Sequence, residues 1–144
     1  MCAEHFAAFG GLVDTQSPGI HHGPENVAVL TAETTTLTCS TNDNANIRWY
    51  EYVTNPSGVL ISDGKTLQPS HPNFDRYELV HTDLKTFSLK IRNINVNDAG
   101  YYQCQDSKAV SSSTVRRGAQ LVVIGTLTDC LKVVSEHRKQ PILK

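Results

Sequence analysis

The chain has 144 residues, 39% of them apolar, which is enough to bury the core of one ordinary domain but not of two. Its 13 basic and 14 acidic side chains give a formal net charge of −1, so nothing attracts nucleic acid or an anionic membrane electrostatically. Because no apolar run approaches the roughly 20 residues that cross a bilayer, and residues 1–13 lack the pattern of a secretion signal, any signal or anchor is expected outside this chain.

The first 23 residues lack strand-like alternation and are predicted to be a disordered flank, in part foreign to the native protein. This flank contains His5, His21 and His22, but adjacent histidines beside Pro and Gly are typical of solvated residues, so no metal site is predicted there. His71 and His81 have no second ligand at metal spacing and are predicted to lie on the surface.

Alternation typical of β-strands begins near residue 27 and ends near residue 124, with turn-forming clusters between the runs. Nine short strands are predicted, at residues 27–30, 35–40, 46–52, 58–62, 65–67, 76–80, 87–92, 100–106 and 115–124.

Three local patterns add detail to these strands. In the run 87–92, every second residue is apolar, which predicts one buried face and leaves Ser88 and Lys90 facing water. The pair Asp63-Gly64 is typical of a tight hairpin turn. Gly118 interrupts the last strand as a bulge or a close approach of two chain segments would.

One run resembles the strand F signature D-x-G-x-Y-x-C of immunoglobulin sandwiches, in which a tyrosine precedes the second cysteine by two residues. Its four matching residues are Asp98, Gly100, Tyr102 and Cys104. Upstream, Cys39 ends an alternating run and Trp49 follows it, which gives the family's order of Cys, Trp and Cys. The resemblance covers residues 24–124, and residues 125–144 are assigned to a second flank or stalk.

The resemblance implies a disulfide between Cys39 and Cys104 that is packed against Trp49. Leu89, on the predicted strand 87–92, is assigned to the same core. A bridge closing so long a loop contributes about 4 kcal/mol in the chain-entropy model, and it implies an oxidising, extracellular location. Cys2 and Cys130 are left open, since they could pair with each other, link two chains or remain free thiols.

Two features favour the variable type of this fold. The long stretch between strand C (residues 46–52) and strand D (residues 76–80) has room for the extra strands C' (58–62) and C'' (65–67). Arg76 lies where such domains place an arginine that pairs with the signature aspartate, here Asp98. The predicted fold is therefore all-β: a two-sheet, V-type Greek-key sandwich with an inter-sheet disulfide.

The end of the domain resembles the joining segment F-G-x-G-T-x-L-x-V of antigen receptors. It keeps Gly118, Leu121 and Val123, but has Val115, Arg116 and Ala119 in place of the aromatic residue, the first glycine and the threonine. The pattern is similar to V-J proteins of invertebrate chordates such as lancelets.

No nucleophile, base and orienting group stand in a recognised arrangement, so neither enzymatic activity nor a cofactor is predicted. Function is then expected on surfaces. The resemblance implies ligand binding, to an antigen or a microbial ligand, at the clustered B-C, C'-C'' and F-G loops. The residues selected at these tips are small or polar: Asn42, Asp43, Asn44, Lys108, Ser111 and Ser112.

A second surface follows from alternation on strands C and F. If Trp49 points inward, the even-numbered residues of its strand point outward, and if Cys104 points inward, the odd-numbered residues of its strand point outward. These outward residues are Arg48, Tyr50, Tyr52, Tyr101, Gln103 and Gln105. Tyrosine is enriched in interface cores, and paired V domains meet through the sheet made of strands G, F, C and C'. The sequence therefore predicts a homodimer or V-V pairing through this face.

Downstream of the domain, Leu127, Cys130, Leu131 and Val134 follow helical spacing, although a disordered stalk or the start of another element is an equal alternative. Taken together, the sequence predicts an extracellular recognition domain of an immune-type receptor. A cell-adhesion module and a secreted pathogen-binding or glycan-binding V domain are the alternatives.

Overall fold

The structure is a computed structural model that describes residues 19–41, 45–107 and 116–125. These residues form ten β-strands and two short 3₁₀ helices, Phe74–Arg76 and Val96–Asp98. The strands are β1 (Ile20–His22), β2 (Val27–Leu30), β3 (Thr35–Thr41), β4 (Ile47–Glu51), β5 (Val59–Asp63), β6 (Thr66–Leu67), β7 (Tyr77–Val80), β8 (Thr86–Ile91), β9 (Gly100–Asp106) and β10 (Arg116–Ile124).

The strands form two sheets. One has the order β1-β3-β8-β7 and the other the order β2-β10-β9-β4-β5-β6. In immunoglobulin letters, β10, β9, β4 and β5 are strands G, F, C and C'. β2 and β10 run parallel, whereas the other pairs are antiparallel. This confirms the predicted all-β, two-sheet sandwich of the variable type.

The core lies between the two sheets and is made of alternate residues from both. β3 buries Thr35, Leu37, Cys39 and Thr41 while the residues between them are exposed or half-buried. The predicted disulfide between Cys39 and Cys104 is present, with a Cα–Cα distance of 6.5 Å. It joins the middle strands of opposite sheets, so the bridge holds the two layers together.

The predicted N-terminal flank is wrong at its last residues, because Ile20–His22 forms strand β1 on the edge of the first sheet. Ile20 is 1% exposed and belongs to the core, while His21 and His22 are exposed. A three-residue strand with one apolar side chain produces no period-two pattern, and its pairing with β3 shifts register between Ile20 and His22. Residues 1–18 and 126–144 lie outside the described part, as do the predictions for Cys2, Cys130 and the helical spacing.

Three other expectations need correction. The hairpin turn after β5 is formed by Gly64 and Lys65, because Asp63 is still paired with Thr66. Arg76 ends a 3₁₀ helix, and strand β7 begins one residue later. Ser88 is buried rather than facing water, because it lies opposite Thr38 and its hydroxyl is 3.4 Å from the Thr38 hydroxyl.

Gly118 was open to two interpretations, and the structure distinguishes them. β9 and β10 keep a continuous register from Arg116 to Leu121, so Gly118 pairs with Gln103 without a bulge. The close approach is present instead, since the ring of Tyr101 lies against Gly118.

Candidate interaction surface

The sheet alternation of β4 and β9 determines which side chains leave the core. On β4, Ile47, Trp49 and Glu51 are buried, whereas Arg48 and Tyr50 are half-buried on the other side. On β9, Tyr102, Cys104 and Asp106 are buried and alternate with half-buried residues. The outward set is Arg48, Tyr50, Tyr101, Gln103 and Gln105, with Tyr52 directly after β4.

The strand register brings this set together on one face. Tyr50 lies opposite Gln103, and Arg48 lies opposite Gln105. Leu60 of β5 lies opposite Tyr50, so it adds an apolar residue that the sequence analysis did not select. Residues directly opposite on neighbouring strands share a face, so β10, β9, β4 and β5 present one continuous surface, called here the GFCC' face.

Two tyrosines, Tyr52 and Tyr101, lie together at the lower end of the GFCC' face, where β4 ends and β9 begins. The rings of Tyr52 and Tyr101 have centroids 5.7 Å apart and are tilted by 55°. The Tyr52 hydroxyl donates to Oε1 of Gln103 at 3.1 Å, and the Tyr52 backbone N–H donates to the Tyr101 carbonyl at 2.9 Å. The two rings are therefore tied to each other and to the sheet rather than extended into solvent.

The upper edge of the GFCC' face is polar, and the arginine on its β4 side is charge-compensated. Nη2 of Arg48 donates to Oδ2 of Asp63 at 3.1 Å. Nδ2 of Asn46 lies 2.6 Å from Oδ1 of Asp63 and 2.8 Å from the Ser107 hydroxyl oxygen. The hydrogen bond from Arg48, followed by that from Asn46, holds the pKa of Asp63 below its ordinary value. The arginine therefore brings its own counter-charge to the face.

Beneath the face, Trp49 fixes β4 to the opposite sheet. Its side chain is fully buried, and its indole N–H donates to the Phe87 carbonyl at 3.2 Å. Leu89 and the Cys39–Cys104 disulfide are buried in the same core. The outward residues of β4 and β9 therefore belong to strands whose inward side chains are fixed in the core.

The lower end of the sandwich is closed by the signature residues. The Tyr102 hydroxyl donates to the Asp98 carbonyl at 2.9 Å. Arg76 donates to both carboxylate oxygens of Asp98 at 2.7 Å, and also to the carbonyls of Arg92 and Asn93. Such a bidentate pair fixes the relative orientation of the two side chains and also neutralises the charge of each. Gly100, at φ 150°, lets the chain enter β9 beside Val53.

A buried acid–histidine pair lies beside this end, and the sequence analysis missed it. Glu51 and His71 are both buried, with Oε1 of Glu51 3.4 Å from Nε2 of His71. Oε2 of Glu51 accepts from the backbone N–H groups of Val53 and Thr54, and Oε1 accepts from the Thr54 hydroxyl. The predicted surface position of His71 is therefore wrong. Alternation did place Glu51 inward, two residues after Trp49 on the predicted strand 46–52. His71 belongs to no periodic pattern, so no signal in the sequence marked it as the partner.

The loop-tip and joining-segment predictions lie only partly within the described residues. Those at Asn42, Asp43, Asn44, Lys108, Ser111, Ser112 and Val115 lie outside them. Of the joining-segment residues, Leu121 is buried in the core and Val123 packs against it. Within residues 19–41, 45–107 and 116–125, no three His, Cys, Asp or Glu side chains are grouped to hold a metal ion. In the same ranges, no helix has the length and apolarity needed to cross a membrane.

The sandwich, its inter-sheet bridge and the corner at Tyr102 define a variable-type immunoglobulin domain. The chain belongs to the immunoglobulin V-set family, whose domain model matches residues 22–124.

A curated relative is the human cytotoxic and regulatory T-cell molecule, which is 26% identical over 130 residues. That match covers 87% of this chain but 30% of the relative, so the chain spans about a third of that protein's length.

Similar solved structures are dimers of first immunoglobulin domains. The RIG-5 IG1 homodimer has a TM-score of 0.61 at 19% identity, covering 75% of this chain and 99% of that one. The ZIG-8 IG1 homodimer has a TM-score of 0.59 at 18% identity, covering 78% and 85%. The ZIG-8–RIG-5 heterodimer has a TM-score of 0.58 at 17% identity, covering 77% and 90%. At these identities the likeness concerns the fold.

Proposed function

We propose that this V-set domain is an extracellular recognition domain of an immune-type receptor that pairs with its own copy, or with another V domain, through the GFCC' face. The observation that carries the proposal is the composition of that face. It gathers Tyr50, Tyr52 and Tyr101, together with two glutamines and Leu60, on neighbouring strands. Tyrosine is typical of interface cores because it combines large apolar area with few rotatable bonds.

On the β4–β5 side of the face, the electrostatics agree with burial in a dimer. An unpaired charge in an interface is costly to desolvate, but the Arg48 guanidinium is already bonded to Asp63 within the same domain. Both side chains remain more than a third exposed, so the pair contributes little to folding stability and leaves its polar edges available to a partner at the rim.

The similar proteins support an immune role and pairing of the domain, but they do not support a particular ligand. The human relative is by its name a T-cell molecule, and the solved neighbours are described as homodimers and a heterodimer of first immunoglobulin domains. The disulfide fits an oxidising compartment. A role in recognition rather than catalysis, the lancelet-type V-J affinity and binding of an antigen or microbial ligand at the loop tips are further parts of the proposal.

The first test is Tyr50→Arg, which places a cation at the centre of the GFCC' face. We expect it to abolish self-association, measured by sedimentation across concentration, because the charge would be buried without a partner. The matched control is Thr36→Arg, which adds the same charge on the exposed side of β3 in the other sheet and should leave the dimer intact. A Tyr50→Arg protein that dimerises like the parent would show that the face is wrongly assigned.

A cell-adhesion module is the second candidate, because it would use the same tyrosine face against a different protein. It predicts a monomer in solution that binds a partner in trans, and this binding is also lost in Tyr50→Arg. A glycan-binding or microbe-binding domain that relies on its loops would keep its binding in that variant.

A further inference from the structure

Two of the tyrosines on the GFCC' face lie on glycines. A Cβ built on Gly118 would come within 2.6 Å of Cε2 of Tyr101 and closer still to the end of that ring. A Cβ built on Gly58 would come within 2.8 Å of Cε1 of Tyr52. Any other residue at either position would therefore displace the ring that now covers it.

The register explains how Tyr101 reaches Gly118. Tyr101 of β9 is paired with Gln120 of β10, and Gly118 lies two residues before Gln120. Tyr101 and Gly118 are therefore diagonal neighbours on one face of the sheet. Aromatic side chains span this diagonal distance, and an aromatic ring laid over a strand glycine is a known way of covering its exposed backbone.

We propose that Gly118 and Gly58 are positioning residues for self-recognition, which hold the rings of Tyr101 and Tyr52 against the sheet before a second copy of this chain binds. This inference rests on the function proposed above and deepens it. The held rings are linked, because their centroids are 5.7 Å apart and the Tyr52 hydroxyl is bonded to Gln103. Ordering side chains in advance removes part of the entropy cost of association. The two glycines therefore strengthen the dimer, although neither has a side chain that could contact the partner.

The occupant that fits this surface is a second copy of the domain. In a two-fold dimer the same patch serves on both partners, so one face formed by four neighbouring strands can supply both sides of the interface. Arg48 carries its counter-ion Asp63 within the domain, so rotating one copy onto another does not require a charge from a different partner to neutralise this arginine.

Gly118→Ala is the informative substitution because the two glycines differ in backbone conformation. Gly58 has φ 87°, where alanine would strain the backbone whatever the ring does. Gly118 lies in a regular strand outside the positive-φ glycines, and the atoms that a new methyl group would meet are the far end of the Tyr101 side chain. Tyr101 is half-exposed, so its ring can swing into solvent while the fold is kept.

The experiment is a double-mutant cycle on the dimer dissociation constant, using the parent, Gly118→Ala, Tyr101→Leu and the double variant, with thermal unfolding as the check on folding. Gly118→Ala should weaken the dimer by about tenfold, as expected from the lower range of overpacking costs. In the Tyr101→Leu background the same change should cost less than about twofold, because no ring is left to displace.

A second readout uses the monomer and does not depend on affinity. In dilute samples, the Gly118 Hα protons should carry an upfield ring-current shift in the parent, and Tyr101→Leu should remove it. In Gly118→Ala, the Tyr101 ring protons should move toward the values of a solvated tyrosine. This readout covers the case in which the Tyr101→Leu dimer is too weak to measure.

The outcomes separate the inference from the proposed function. If Tyr50→Arg abolishes the dimer but Gly118→Ala leaves the parental dissociation constant, or weakens it equally in both backgrounds, the positioning role is wrong and the interface assignment stands. If the parent is monomeric at all concentrations, or Tyr50→Arg dimerises normally, the proposed function fails and this inference fails with it.

Discussion

Glu51 and His71 are two ionisable side chains that the fold buries together near the end of β4. The ring nitrogen Nδ1 of His71 accepts the Asn73 backbone N–H at 3.1 Å, so the neutral ring carries its proton on Nε2, the atom nearest Glu51. Burial lowers the pKa of His71, although Glu51 acts in the opposite direction. The ring is also 5.0 Å from the ring of Tyr77, which adds to its apolar surroundings.

Burial by itself would raise the pKa of Glu51, but hydrogen bonds from Thr54 and Val53 hold it below its ordinary value of 4.5. The folded state therefore favours a charged Glu51 and a neutral His71. Both preferences make proton uptake easier in the unfolded chain than in the folded protein.

Stability is therefore expected to fall as the pH drops below about 6.5, the ordinary pKa of histidine. Between that value and the lowered folded pKa, the unfolded chain binds a proton at His71 that the folded protein does not. Glu51 adds a further loss below 4.5, in the same direction. The measurement is the thermal midpoint from pH 7.5 to pH 5 for the parent and His71→Gln, which should flatten the curve.

His22→Gln is the control for that experiment, since His22 is exposed and lies in β1. Its pH dependence should match that of the parent. If His71→Gln keeps the full parental slope between pH 7.5 and pH 5, the acid sensitivity does not arise at this pair.

Strand β1 shows why the edge of the fold was harder to predict than its centre. The alternation of β3, β8 and β9 and the signature around Cys104 predicted strands that the structure contains. β1 has three residues and one buried side chain, and its position depends on pairing with β3, a contact that lies far away in sequence. The burial of His71 depends in the same way on Glu51, which is distant in sequence. Local patterns do not carry such contacts.

The outward residues of β4 and β9 could be derived from alternation alone, once Trp49 and Cys104 were taken as buried. Alternation could not predict which residues of neighbouring strands lie opposite each other. The opposition of Leu60 to Tyr50 requires the register of β5, which shifts between Trp49 and Tyr50. The position of the Tyr101 ring on Gly118 requires the register of β10.

Ile20→Ala tests whether β1 is an integral strand. Because Ile20 is 1% exposed, we expect the free energy of unfolding to fall by about 2–4 kcal/mol, from lost apolar burial and the cavity left behind. Chemical denaturation would measure it. Val96→Ala is the matched control, since Val96 is 60% exposed and its truncation should change stability by less than about 0.5 kcal/mol. Equal small effects would mean that β1 adds nothing to the domain.

For the whole molecule, the self-association proposed above could arise in two physically different ways. A dimer formed through the GFCC' face depends on concentration and ignores a mild reductant, whereas one linked by Cys2 or Cys130 is lost on reduction. We expect the first behaviour in sedimentation with and without such a reductant, with the buried Cys39–Cys104 bridge intact under both conditions, since both cysteines are fully buried. Loss of the dimer on reduction would assign it to the flanking cysteines.

The parallel pairing of β2 with β10 has a mechanical consequence. The two strands are aligned from Val27 beside Leu121 to Leu30 beside Ile124, and Thr31 continues the contact through two hydrogen bonds to the Ile124 carbonyl. Tension applied between the chain before β2 and the chain after β10 pulls these parallel strands in opposite directions along their length. The bonds between them are then sheared together rather than unzipped singly. A force that reaches the domain through the segments before β2 and after β10 would therefore be resisted at this seam.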